Sequence, residues 1–477
     1  MTVEKQTLAA LKWTSLAKLA GQIVSWGVTL IVLRLLLPAD YGLMAIVSMI
    51  ITVLASIAEL GLGASLVQAP KLDRDELGTV TGAVIVLNLG VGVLVALLAP
   101  LAAWFYSEPR LTLLIQVASL HFLFNAVGAV PQALAYRDMN FRWLAYVELA
   151  AVVSSGFATL WMAWRGYGVW ALVLGSVLQN LIRSLLLLKQ GMPRPVFRSQ
   201  GLRRHVTFGS TFTITRLVTQ VVYQSDILIA GRLMSPQALG LYSVSLHLAT
   251  LPMQKIMGVI NQVAFPAVAK LQHEPARLRL RVLDASRFLM VFSLPLLWGL
   301  SATAPEFVAI IMGPAWSGAV LPLQVVCLVI PMRMMTIVYN TVAVGVGNMR
   351  VNVVNTVASA IVLPATFYVG AHWGVNGLAC AWAIAIPFVF FYCLPRVLRI
   401  VGTRFSDLLA CVWVPVAAGT VMYAAVFLGR LACEGMAPAI RLALLVVLGG
   451  CAYSAALLLL DRRIVPDIRH VLRAMRT

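Results

Sequence analysis

Apolar and polar positions in this chain separate on a scale of tens of residues. Long apolar stretches are divided by short polar breaks. About 20 mostly apolar residues let a helix cross about 30 Å of hydrocarbon. Fourteen stretches qualify, at roughly 13–36, 42–67, 78–104, 112–134, 143–164, 168–188, 208–233, 238–265, 286–305, 320–345, 352–372, 375–395, 406–429 and 438–460. The pattern predicts an all-α, polytopic membrane protein with about 14 transmembrane helices.

Six of these spans repeat. The segment Lys18-x3-Gln22 followed by Arg34-Leu35-x2-Pro38-x3-Gly42-Leu43 returns as Arg216-x3-Gln220 followed by Arg232-Leu233-x2-Pro236-x3-Gly240-Leu241, at a constant offset of 198 residues. A second set, Gln116-Val117-x2-Leu120 with Asn140-x-Arg142, matches Gln324-Val325-x2-Leu328 with Asn348-x-Arg350 at an offset of 208. Weaker echoes pair Ala99-Pro100 with Ala304-Pro305, and Gly166 with Gly374. Six is even, so the halves share one orientation and an axis along the membrane normal relates them. Paired halves are a common transporter plan, with the substrate path between them. The expected organisation is a first lobe over residues 1–188 (helices 1–6), a basic cytoplasmic linker at 189–207, a second lobe over 208–400 (helices 7–12), and helices 13–14 with a basic tail over 401–477.

Composition supports the membrane reading. The chain is 61% hydrophobic with 11% charged residues and a mean hydropathy of +0.91, where a soluble domain carries about 25% charge. The net charge of +19 changes meaning once its placement is seen. With a cytoplasmic N-terminus, 25 of the 36 basic residues fall on the inner side. The outer loops hold only Arg110, Arg165, Arg430 and Arg441. That asymmetry is the positive-inside signal. It sets both termini in the cytoplasm and removes nucleic acid as a partner. The N-terminal apolar stretch is too long for a cleaved signal peptide and lacks a small-x-small site. The six cysteines form no CxxC pair, so neither a disulfide framework nor a metal site is expected.

The informative residues are polar ones inside the spans. A charge at the bilayer centre costs about 2.5–3.5 kcal/mol on insertion scales, so it faces a cavity or a partner. Span one carries Ser15, Lys18, Gln22, Ser25 and Thr29 at helical spacing on one face. Span seven carries Arg216, Thr219, Gln220, Tyr223 and Asp226 in a like stripe. Lys255 in span eight and Arg333 in span ten add two cations. The candidate substrate-binding set is therefore Lys18, Gln22, Arg216, Gln220, Tyr223, Lys255 and Arg333. The embedded acids Glu59, Glu148 and Asp226 are candidates for ion coupling or for counter-ions. Arg183 is expected to snorkel, and Arg34 and Arg232 to anchor outer helix ends. Embedded cations outnumber embedded acids, which suits an anionic cargo, and Arg grips phosphate through a two-pronged fork. His121 reads as a packing residue, with a proton relay as the alternative.

No Walker A loop, HExxH or nucleophile elbow is present, so no catalytic residue is assigned. Asp73-Arg74-Asp75 has the form of a DxD metal motif but reads as a solvated loop. Spans thirteen and fourteen carry no acid at their centres and are expected to pack or face lipid.

Arg34-Leu-Leu-Leu-Pro-Ala-Asp-Tyr-Gly42, Glu59-Leu-Gly-Leu-Gly-Ala-Ser-Leu-Val-Gln68, Gly240-Leu-Tyr-Ser-Val244, Gly313-Pro-Ala-Trp316 and Asn376-Gly-Leu-Ala379 occur in that order. Together they resemble the Wzx-type lipid-linked oligosaccharide flippases, polysaccharide exporters of the multidrug/oligosaccharidyl-lipid/polysaccharide superfamily. The fourteen-span form is similar to the colanic and teichuronic acid subgroup. The resemblance implies two six-helix lobes forming a V around a cationic cavity in the bacterial inner membrane. It implies export of an undecaprenyl-pyrophosphate-linked oligosaccharide driven by a proton or sodium gradient, with no cofactor. Membrane lipid, and a polymerase and chain-length regulator of the same pathway, are the implied partners. A multidrug antiporter of the same superfamily is the nearest alternative. A membrane polymerase, ligase or glycosyltransferase is the alternative from another class.

Overall fold

The computed structural model describes residues 21–22, 24–59, 66, 73–197, 217–271 and 274–461, with Glu59 and Lys255 described as helix positions only. All regular structure among them is helical. The chain divides into two compact units, Met1–Gly240 and Leu241–Thr477.

The first unit contains α1 (Val24–Leu35), α2 (Pro38–Glu59), α3 (Arg74–Tyr106), α4 (Leu111–Ala118) and α5 (Leu120–Arg137). It continues with α6 (Phe141–Trp164), α7 (Val169–Leu188), α8 (Ser225–Leu233) and the start of α9 (Pro236–Leu271). The second unit continues α9 and adds α10 (Pro275–Ala302), the short α11 (Ala304–Phe307) and α12 (Val320–Gly345). It closes with α13 (Met349–Ala371), α14 (Gly374–Val401), α15 (Phe405–Ala432) and α16 (Pro438–Leu460). Ten helices are long and apolar enough to cross a membrane among the described residues, and an eleventh results if α10 and the segment Ala304–Met312, bent by 67°, are one span. Spans one and seven of the sequence reading lie only partly within the described residues. The all-α, polytopic fold is as the hydropathy pattern predicts.

Both faces of these helices are apolar. On α3, Val80, Val84 and Val95 are buried while Leu97, Leu101 and Trp104 stand exposed, Leu97 at 72%. Such a surface fits hydrocarbon rather than water. In the first unit α3 packs on α5 through Val80, Val84, Val130 and Ala133. Val32 and Leu36 pack with Ala163 of α6 and Ala171 of α7.

Local chemistry explains several sequence signals. Asp73 N-caps α3, and Asp75 and Glu76 occupy its first turn, where the helix dipole favours negative charge. The DxD-like run is thus a helix start. Gly78 and Gly82 admit the extended segment that follows α7. Val196 donates its amide to the Gly78 carbonyl at 2.9 Å, and a Cβ on Gly82 would lie 2.5 Å from the Val196 carbonyl oxygen.

The repeats are also structural. Asn140 caps α6 by accepting from the Trp143 amide, and Asn348 caps α13 by accepting from the Val351 amide. The preceding turns share their hydrogen bonds: Asn140 N to Ala135 O and Asn348 N to Ala343 O are both 2.9 Å. Within the first unit, Gly42 of α2 and Gly240 of α9 make reciprocal approaches. A Cβ on Gly42 would collide with the carbonyl oxygen of Pro236, and one on Gly240 with that of Pro38.

Helices α15 and α16, outside the repeat, are fastened to α10 and α11. Val291 and Ala302 share an apolar core with Ala418, Met422, Leu445 and Tyr453. Arg279 meets Asp407 at 2.7 Å and Arg287 meets Asp461 at 2.6 Å. Near the opposite ends of α15 and α16, fully buried Glu306 of α11 lies 3.1 Å from Arg430 Nε and 3.2 Å from Arg441 Nε. Packing, expected for these two spans, is what their inner faces do.

Candidate functional site

In the first unit, the described members of the polar stripes are Gln22, Ser25, Thr29, Thr219, Gln220, Tyr223 and Asp226. Gln22, Gln220 and Tyr223 are half-buried on helical segments. Asp226 is fully buried in the first turn of α8, where its Oδ1 accepts from the Ile227 amide at 2.7 Å. The buried carboxylate thus lies where the helix dipole favours it. Lys18 and Arg216 lie outside the described residues. Lys255 is a position within α9.

Three further polar contacts cross between helices of this unit. Asn125, the repeat equivalent of Arg333, donates to Asn88 Oδ1 at 2.9 Å, and Asn88 in turn donates to the Val84 carbonyl. His121 is held by Asn180, whose Nδ2 donates to the His121 carbonyl at 2.9 Å and lies 3.0 Å from ring Nδ1. This arrangement suits the packing role read for His121. Glu148 stands 3.7 Å from Arg183, so the arginine expected only to snorkel has a carboxylate beside it. Both side chains are substantially exposed, which keeps the energy of this pair small.

In the second unit Arg333 of α12 is the described cation of the candidate set. Its guanidinium lies 4.8 Å from the ring centroid of Trp382 on α14. Trp382 is fully buried, and its indole Nε1 donates to the Tyr242 hydroxyl of α9 at 2.6 Å. Phe367 of α13 supports the indole at a centroid distance of 5.1 Å. A partly buried cation over an indole face gains about 1–2 kcal/mol. A neighbouring polar layer holds Asn355, which donates to Asn340 Oδ1 at 2.9 Å, and Ser286 beside Tyr339 OH at 3.1 Å.

Sequence reasoning found Arg333 but missed Trp382 and Tyr242. The repeat held a usable signal. Tyr242 corresponds to Met44 at offset 198, while Arg333 and Trp382 correspond to Asn125 and Leu174 at offset 208. The second half therefore departs from the first at all three positions that form the cluster. Glu306 was also missed, because an acid between two spans reads as solvated until its burial is seen.

No group of His, Cys, Asp and Glu suited to a metal occurs among the described residues. The arrangement is one of fixed polar and cationic groups inside helical bundles, suited to binding and guiding a charged solute.

A profile of the family described as "Polysaccharide biosynthesis protein" matches residues 31–321. The teichuronic acid biosynthesis protein TuaB of Bacillus subtilis (strain 168) is 27% identical, over 69% of this chain and 69% of that one. The lipopolysaccharide biosynthesis protein WzxC of Escherichia coli (strain K12) is 24% identical, over 69% of this chain and 68% of its own. Among solved structures, the lipid II flippase MurJ in an inward closed conformation aligns with a TM-score of 0.76 at 13% identity, covering 95% of this chain and 99% of that chain. At that identity the likeness is one of fold.

Proposed function

This chain belongs to the polysaccharide biosynthesis protein family, and from that membership we propose that it carries an undecaprenyl-pyrophosphate-linked oligosaccharide repeat unit across the bacterial inner membrane. The direction is from the cytoplasmic to the periplasmic leaflet. The product serves a surface polysaccharide: exopolysaccharide, capsule or lipopolysaccharide O-antigen. The chain is a multi-pass membrane transporter of the multidrug/oligosaccharidyl-lipid/polysaccharide superfamily and not an enzyme.

The observation that carries the substrate reading is Arg333, embedded in α12 and backed by the Trp382 ring. The Trp382 ring fixes this guanidinium within the helices, and a guanidinium grips phosphate through paired N–H groups. Lys18, Arg216 and Lys255 supply further positive charge, and Gln22, Gln220 and Tyr223 supply hydrogen bonds to sugar or phosphate. Alternating access driven by a proton or sodium gradient completes the cycle, with Glu59, Glu148 and Asp226 as coupling acids or counter-ions. Both termini lie in the cytoplasm by the charge asymmetry. A polymerase and a chain-length regulator of the same pathway receive the exported unit.

The test uses cells deleted for their own flippase of a known surface polymer. Expression of this chain is expected to restore surface polymer and clear the accumulated lipid-linked unit. Persistence of the intermediate across a panel of hosts with different repeat units, with the protein present in the membrane, would overturn the reading.

A further inference from the structure

The first unit carries a cationic recess whose lining includes none of the candidate residues. A cavity of about 710 Å³ is lined by Trp104 and Phe105 of α3, Ser107, Pro109, Thr112 of α4 and Arg232 of α8. Its size lies within the range of about 300–1,000 Å³ usual for small-molecule sites. Under the positive-inside reading this end of the helices is the outer one.

Arg232 is held in place from two sides. Its Nη1 donates to Ser107 Oγ at 3.2 Å, and its guanidinium carbon lies 5.9 Å from the centroid of the Phe105 ring. Ser107 itself sits in the left-handed turn that ends α3, with φ of 56°. The nearest acid in sequence to this turn, Glu108, is already taken. Arg110 grips it with two hydrogen bonds, Nε to Oε1 at 2.8 Å and Nη2 to Oε2 at 3.1 Å. Among the described residues no carboxylate pairs with Arg232. The recess thus keeps one fixed positive charge beside a hydroxyl and two aromatic rings.

Trp104 is 76% exposed and Phe105 is 41% exposed. Exposed aromatics at a span end mark the headgroup depth of a bilayer. An arginine and a serine at that depth, beside aromatic walls, have the chemistry of a site for a phosphate group carried on a lipid. We propose that the Arg232 recess binds a lipid-borne phosphate at the outer membrane interface. Its source is either the exported polyprenyl carrier or an anionic phospholipid. The proposal rests on the transport reading for the first source and stands without it for the second.

The experiment replaces Trp104 with the photo-crosslinker p-benzoyl-phenylalanine in the full chain. The protein is placed in phosphatidylcholine nanodiscs containing undecaprenyl pyrophosphate or phosphatidylglycerol, and adducts are read by mass spectrometry. Arg232→Ala is expected to lower the adduct yield about tenfold, as loss of one charge-assisted contact implies. Ser107→Ala, which removes the tether but keeps the charge, is expected to lower it less. Loss confined to undecaprenyl pyrophosphate identifies the carrier as the source, and loss of the phosphatidylglycerol adduct identifies bulk lipid. Yields indifferent to Arg232→Ala in both lipids, with the variant monodisperse and folded, overturn the proposal. Arg333→Ala is expected to abolish transport while leaving the adduct intact, which separates failure of this site from failure of the transport reading.

Discussion

Met139 and Gly347 occupy the same left-handed turn in the two halves of the chain. They lie 208 residues apart, with φ of 53° and 82°. Each precedes an asparagine that caps the next helix. Glycine tolerates this conformation freely, whereas an L side chain is strained there by roughly 1–2 kcal/mol. Met139→Gly is therefore expected to raise stability by up to about 1 kcal/mol, the relief of strain exceeding the added freedom of the unfolded chain. Gly347→Ala is expected to lower it by about 1–2 kcal/mol. Thermal unfolding in detergent reads both; a lower melting temperature for Met139→Gly would contradict the argument.

Glu306 supports a second prediction. It is fully buried with two arginines within 3.2 Å. Glu306→Gln removes its charge and leaves Arg430 and Arg441 facing each other. Breaking a buried ion pair costs about 3–5 kcal/mol. Because both arginines keep some access to water, a loss near about 3 kcal/mol is expected. Proteolysis between α15 and α16, compared in the two proteins, should be faster in the variant. Equal rates would show that the apolar core alone holds this helix pair.

The Arg333 cluster gives a graded series. Trp382→Phe keeps an aromatic face but loses the indole N–H. Trp382→Leu loses both. Tyr242→Phe removes the hydroxyl that accepts from the indole. If Arg333 serves transport through its seat on the ring, export should fall in the order Trp382→Phe, then Trp382→Leu, with the latter close to Arg333→Ala. Tyr242→Phe should resemble Trp382→Phe. Initial export rates at several substrate densities would check the order, and full export by Trp382→Leu would remove the ring from the account.

A pH effect is expected outside the membrane segments. The hydrogen bonds from Arg110 hold the Glu108 carboxyl below its usual range. A carboxyl whose folded pKa is lower than its unfolded value stabilises the fold at neutral pH, and that contribution is lost as pH falls through the folded pKa. Wild type should therefore lose its advantage over Glu108→Gln as pH falls below the ordinary glutamate range. The effect is small because Arg110 is well exposed. Melting temperatures of both proteins across an acid series measure it, and a constant difference would exclude the linkage.

The fold was legible because a membrane span is written in composition: twenty apolar residues state their own geometry. The repeat was legible where it serves the backbone, as at Asn140 and Asn348, whose caps need that side chain in that place. The site was less legible. Arg333 announces itself as a charge within an apolar helix, but Trp382 and Tyr242 are ordinary residues of an apolar chain until distance joins them. The DxD-like run was ambiguous for the same reason: Asp73 is a cap, and that is not visible without the helix it begins.

Gly42 and Gly240 carry a consequence for ancestry. Residue i of one half approaches residue j of the other, and the reverse contact is made as well. That reciprocity is the mark of a two-fold, isologous interface. Two copies of a single ancestral half would have met through one glycine and its twin. Fusion of the copies would have turned a subunit interface into an internal contact. From then on each glycine was free to mutate alone, yet each still abuts a carbonyl supplied by its former partner, so neither could gain even a methyl group without moving the other half's backbone.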